Sequence, residues 1–134
     1  LGLKEDGKVL VVGLGNEKST PDSLGPKSID QVLVTRHLFL LGEVEEGYRN
    51  TASFKPSVTG TTGIETKDLI EAVKEKINPD LIIVIDALAT NSIERLNKTI
   101  QIATSGISPG SGIGNNRAEI SEKTLGVTII IKTN

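Results

Sequence analysis

The sequence predicts an α/β fold built on a mostly parallel sheet, and three observations carry that prediction. Two continuous aliphatic runs, Lys8-Val9-Leu10-Val11-Val12-Gly13-Leu14 and Leu81-Ile82-Ile83-Val84-Ile85-Asp86, show no polar alternation, the pattern of strands covered on both faces. A third run, Val127-Thr128-Ile129-Ile130-Ile131, repeats it late in the chain. Between them lie helical patterns, and strand–helix alternation over 134 residues fits one domain of three layers, with helices on both faces of the sheet.

Taken in order, the strand over 8–14 runs into Gly13-Leu14-Gly15-Asn16. This is not a dinucleotide fingerprint, because Lys18 stands where the third glycine of G-x-G-x-x-G belongs. It reads as a backbone turn over the top of the sheet that needs small residues. Glu17 to Pro21 is an exposed loop, and Asp22-Ser23-Leu24-Gly25-Pro26 leads into a helix expected to reach about His37, with Ile29, Val32, Leu33 and Leu40 near helical spacing and Asp22 placed to cap it. Glu43 to Pro56 is weakly patterned, and Tyr48, Ala52 and Phe54 allow a short strand. Val58 to Gly63 is a Gly/Thr loop with backbone donors. From Glu65 to Ile77 the helix is clear, with Leu69, Ile70, Val73 and Ile77 on one face and Lys67, Glu71, Lys74 and Glu75 on the other. Pro79-Asp80 stops it. Ser92 can cap a short turn through Leu96, Thr99 to Thr104 alternates as an edge or half-buried strand, and Glu119 to Leu125 suits a short helix. The loop Ser108 to Arg117 carries glycines at 110, 112 and 114 and can approach a ligand closely.

Composition removes several functions. Aromatic residues are 2% of the chain, too few for base-stacking on single-stranded nucleic acid. A net charge of -2 gives no basic field for a polyanion, so no direct nucleic-acid partner is expected. Without cysteine there is no thiol catalysis and no Cys-based zinc site, and His37 is the single histidine. No apolar run approaches the roughly 20 residues of a membrane span, and no signal peptide precedes the first strand.

What remains are carboxylates at strand ends. In open α/β sheets the crevice outside the carboxyl ends of the strands is where ligands bind. Asp86 ends the most apolar run, and Asp22 follows the first strand in the same way. Two close carboxylates do not both ionise easily, so one can hold a proton while the other acts as a base. The loops at Gly60-Thr61-Thr62-Gly63 and Gly110-Ser111-Gly112 offer backbone N–H groups to a substrate or oxyanion.

Leu14-Gly15-Asn16 followed by Thr20-Pro21-Asp22-Ser23-Leu24-Gly25-Pro26 resembles the germination protease family of spore-forming bacteria. So do Val34-Thr35-Arg36-His37-Leu38, Gly60 to Thr66, Ile85-Asp86-Ala87-Leu88-Ala89, Ser92 to Arg95, Thr99 to Ile102 and Pro109 to Gly112. The resemblance implies a single α/β protease domain over 1–134, phosphorylase/hydrolase-like in fold and similar to hydrogenase-maturation endopeptidases, within a family chain that is longer at both ends. It implies a self-processing zymogen, an endopeptidase that degrades small acid-soluble spore proteins during germination, a homotetramer and a cytoplasmic, spore-core location. The family's proposed catalytic aspartates fall on Asp22 and Asp86; with one histidine and no cysteine, no metal and no cofactor are expected. The alternatives are a metal-dependent maturation endopeptidase, a peptidyl-tRNA hydrolase-like esterase, or an inactive fragment. Leu125-Gly126-Val127 departs from the family's usual continuation.

Overall fold

The computed structural model describes residues 2–87, 100–104, 120 and 128–133. The elements are β1 (Val9–Leu14), a 3-10 turn (Thr20–Asp22), α1 (Leu24–Ile29), α2 (Arg36–Leu41), β2 (Thr51–Ser57), α3 (Thr59–Thr62), α4 (Thr66–Ile77), β3 (Leu81–Ala87), β4 (Ile100–Ala103) and β5 (Thr128–Thr133). They build one five-stranded sheet in the order β2-β1-β3-β5-β4. Every pairing is parallel except β4 against β5, which is antiparallel at the margin.

The continuous apolar runs are explained by position. β1 and β3 are interior neighbours, with Leu10 opposite Ile82 and Val12 opposite Val84. Successive side chains of a strand point to opposite faces, so each interior strand feeds two cores. Leu10, Val12, Leu14, Ile82, Val84, Ile120 and Ile130 pack with Ile70 of α4, supported by Ala52, Phe54, Val73 and Ile77. On the other face, Val9, Val11 and Leu81 pack with Ile29 of α1, supported by Leu3, Val32, Ile83 and Ile85. Each fully buried aliphatic side chain contributes about 1.5–3 kcal/mol. These two cores are the three layers that the sequence predicts.

α4 follows its pattern closely. Asn78 ends it in the left-handed conformation at φ 53°, its N–H donating to the Lys74 carbonyl, and Pro79 follows. The Lys8 backbone N–H then donates to the Asp80 carboxylate at 2.7 Å, fastening the start of β3 to the start of β1.

The helix expected to run to about His37 does not. α1 stops at Ile29, and a separate α2 begins at Arg36. Thr35 decides the break: its N–H donates to the Thr51 carbonyl at 2.9 Å, its hydroxyl bonds the Arg49 carbonyl, and the Thr51 N–H donates to that hydroxyl at 2.9 Å. These bonds to the start of β2 replace helix continuation through a β-branched stretch of low helix propensity. Leu33 and Leu40, whose spacing reads as helical together with Ile29 and Val32, are each 69% exposed. The weak strand signal around Ala52 and Phe54 is β2, and Tyr48 lies before it. The strand expected over 99–104 is β4, and the last strand is Thr128–Thr133. The turn at Ser92–Leu96 and the Ser108–Arg117 loop fall outside the described residues, as does the 119–125 helix apart from Ile120.

α1 can lie directly on the sheet because two glycines meet there. A Cβ on Gly13 would fall 2.3 Å from the Gly25 carbonyl oxygen, and a Cβ on Gly25 would fall 2.0 Å from the Leu14 carbonyl oxygen and 2.7 Å from that of Ile85. Backbone on both sides cannot yield locally, so Gly25→Ala forces α1 away from β1 and β3. It is expected to destabilise the fold by about 1–3 kcal/mol, the usual range for overpacking; an unchanged urea midpoint would show that the helix seats otherwise.

Candidate active site at the carboxyl edge

Three parallel strands, β2, β1 and β3, finish at the same edge of the sheet. The segments that follow them are therefore neighbours. Gly15 to Asp22 rises from β1, α3 follows β2, and Asp86 is the next-to-last residue of β3.

Asp22 is held by a closed turn. The Asn16 N–H donates both to the Asp22 carbonyl at 2.9 Å and to its carboxylate Oδ2 at 3.0 Å. The Asp22 N–H in turn donates to the Ser19 carbonyl, and the Ser19 N–H to that of Asn16. Gly15 makes this possible at φ 123°, and any Cβ there would lie 2.1 Å from the Asp22 carbonyl oxygen. The carboxylate does not cap α1 as the sequence suggested. Ser23 takes the N-cap position, and its hydroxyl donates to the Thr20 carbonyl.

A second restraint comes from β2. Lys55 Nζ bridges Glu17 at 2.9 Å and Asp30 at 3.0 Å, joining the loop before Asp22, the end of α1 and the edge strand. Hydrogen bonds to Glu17 and then Asp30 hold the Lys55 ammonium above its ordinary range. All three side chains are partly solvated, so the bridge orders the loop more than it stabilises the fold. Neither Lys55 nor the Asn16 amide was legible as a site residue, since both act through pairings that only the folded chain creates.

Asp86 sits on β3 opposite Lys132 of β5, and its Oδ1 accepts the Ala87 N–H at 2.9 Å. Strand alternation gives it the register of Ile82 and Val84, the α4 side of the sheet. The Asp22 turn is continuous with α1 and packs against β3. The two aspartates thus share the carboxyl edge, Asp86 in the register of the α4 face and Asp22 on the segment that enters α1 on the opposite face.

The Gly60-Thr61-Thr62-Gly63 segment is a helical turn, not an open loop. The N–H groups of Thr61 and Thr62 donate to the Val58 carbonyl and that of Gly63 to Thr59, so these three donors are already committed. Gly110, Ser111 and Gly112 fall outside the described residues. His37 is exposed on α2. Among the described residues no three His, Asp or Glu side chains converge as a metal site, and no helix is long and apolar enough to cross a membrane. A cavity of about 500 Å³ bounded by Leu3, Lys8 and Asp80 opens at the amino edge, away from both aspartates.

The fold and the edge define a three-layer α/β protein with two aspartates at the carboxyl end of its parallel strands. The chain belongs to the germination protease family, whose model matches residues 1–133. It is 57% identical to a germination protease of Priestia megaterium and 54% identical to one of a Geobacillus species, each over 132 residues and 97% of this chain. It spans about a third of the length of these relatives, 36% in both cases. In structure it is similar to the NiFe hydrogenase maturation protease HycI of Thermococcus kodakarensis, with a TM-score of 0.52 at 15% identity, covering 96% of this chain and 74% of that one. At that identity the likeness shows the fold, and it is the fold expected from the sequence.

Burial raises the proton affinity of Asp22 above its ordinary value near 3.8, against a smaller opposing effect of the Asn16 N–H. The folded chain therefore keeps this proton to higher pH than the unfolded chain does. The contribution to stability is complete below pH 3.8 and is lost as pH rises through the folded-state value. At neutral pH the ionised carboxylate is a net cost. Asp22→Asn is accordingly expected to unfold at the same or higher temperature than the parent at pH 7, with the gain vanishing toward pH 3. A lower midpoint at pH 7 would mean that the bond from Asn16 outweighs burial.

Proposed function

We propose that the protein carrying this chain is an endopeptidase that degrades small acid-soluble spore proteins during germination, with Asp22 and Asp86 as its catalytic pair. The observation that supports this most is that both aspartates stand at one carboxyl edge of a chain matching the germination protease family over residues 1–133. A self-processing zymogen, a homotetramer and a spore-core location belong to the same proposal.

Peptide hydrolysis needs an activated water, a proton for the leaving amine, and stabilisation of the oxyanion. A carboxylate pair supplies the first two when one member holds a proton and the other accepts one from water. Asp22 and Asp86 share these two roles, and burial favours the protonated form of Asp22. Carboxylates that share one proton titrate as a unit. The turn at Gly60, Thr61, Thr62 and Gly63 forms one wall of the substrate cleft by shape and hydroxyl groups, since three of its N–H groups are committed. The oxyanion donors are then sought in Gly110, Ser111 and Gly112.

The test is hydrolysis of a purified small acid-soluble spore protein by the intact protein. Asp22→Asn and Asp86→Asn each keep shape and remove the titratable group, and each is expected to abolish cleavage. A variant retaining activity within about tenfold of the parent, roughly 1.4 kcal/mol, would exclude that residue from the pair. Excess chelator is expected to leave cleavage unchanged; loss restored by one divalent ion would recast both aspartates as ligands.

A further inference from the structure

The end of β2 departs from regular structure in three ways within a few residues. Its register against β1 slips: Val12 faces Phe54, yet Leu14 faces Ser57, so Lys55 and Pro56 together oppose Gly13. Such bulges re-aim side chains and recur beside active sites. Ser57 then adopts φ 64°, a left-handed conformation that side chains other than glycine, asparagine and aspartate seldom hold. Two residues on, the Thr59 hydroxyl is buried with no hydrogen-bond partner among the described residues.

An unpaired buried hydroxyl costs stability and calls for a reason. Its neighbours do not supply one. The Val58 carbonyl already takes the Thr61 and Thr62 N–H groups, and the Thr62 hydroxyl accepts the Ile64 N–H at 3.1 Å. Position does suggest one. The residue paired with Ser57 is Leu14, and the loop that leaves Leu14 binds Asp22 through the Asn16 N–H. Lys55, in the bulge itself, reaches across to Glu17 of that loop. The bulged strand end and the Asp22 turn are thus neighbours at the carboxyl edge, tied together by the Lys55–Glu17 bridge.

We propose that Thr59 is a substrate-binding residue whose hydroxyl donates to a backbone carbonyl of the peptide lying along this edge, with the bulge and the left-handed Ser57 setting the position of the turn that carries it. The side chain as a whole is only half-buried, and threonine in a helix has two accessible χ1 wells. A change of χ1 is the route by which the hydroxyl would leave the interior to meet the peptide. A peptide carbonyl is the fitting partner, because it is the neutral acceptor that every extended substrate presents regardless of side chains. The inference rests on the endopeptidase reading of the same edge.

The test uses the intact protein in an Asp86→Asn background, where a small acid-soluble spore protein binds without being cut. Adding Thr59→Val, which replaces the hydroxyl by a methyl group of equal shape, is expected to weaken binding about tenfold, the scale of one neutral hydrogen bond. Thr59→Ser restores it. The melting temperature of the valine variant should be unchanged or higher, because an unpaired buried hydroxyl has been removed. Equal affinity with and without Thr59→Val would overturn the proposal. So would a binding loss that tracks a lower melting temperature and is not rescued by serine. If Asp86→Asn still cleaves, the aspartate assignment fails on its own, and the ratio of KM values for Thr59→Val and Thr59→Ser in the parent decides the role of Thr59.

Discussion

The architecture depends on one close approach: α1 crosses the ends of β1 and β3 with Gly25 touching the backbone of Leu14 and Ile85 and facing Gly13. No other residue fits either position without moving backbone. That contact seats α1, buries Ile29 against Val9, Val11 and Leu81, and fixes the distance the chain must travel from the end of β1 to the start of the helix. The span between them has to fold back on itself, and Gly15 at φ 123° is where it does so. Asp22 is carried to the edge of the sheet as a consequence of that packing.

Once there, Asp22 is in an electrostatic compromise. The turn gives its carboxylate one backbone donor, from Asn16, while the packing around it removes water. Desolvation is the larger effect, so the group is tuned toward holding its proton. A residue selected for stability alone would not be left this way, since a neutral side chain would serve the turn as well. The same trade recurs across β1, where Ser57 is held at positive φ and the Thr59 hydroxyl is buried unpaired. Among the described residues, local rules are broken at Ser57 and Thr59, close to the Asp22 turn, as expected where structure is spent on function.

The sheet was readable because its interior strands cannot tolerate polar residues on either face, and Leu10, Val12, Ile82 and Val84 announce that directly. α4 was readable for the matching reason, a single apolar stripe over one core. The stretch from Asp30 to Arg49 was not. Its apolar residues continue the spacing of α1, yet Thr35 exchanges bonds with Arg49 and Thr51, a pairing 14 to 16 residues away that no local pattern encodes. The positions of Asp22 and Asp86 followed from the rule that crevices form at strand ends. Their supports did not: the Asn16 amide has no side-chain signature, Lys55 looks like any edge-strand lysine, and the Gly60 to Gly63 sequence has the composition of a loop although its N–H groups close a helical turn.

The central claim is that the two aspartates act as one unit at this edge. Its most direct measurement is the cleavage rate of the intact protein with Asp22→Asn, Asp86→Asn and both together. Groups that share one proton lose their joint function when either is removed, so the double variant should be no slower than the slower single. If the two losses instead multiply, the aspartates contribute independently, and a shared-proton pair is contradicted.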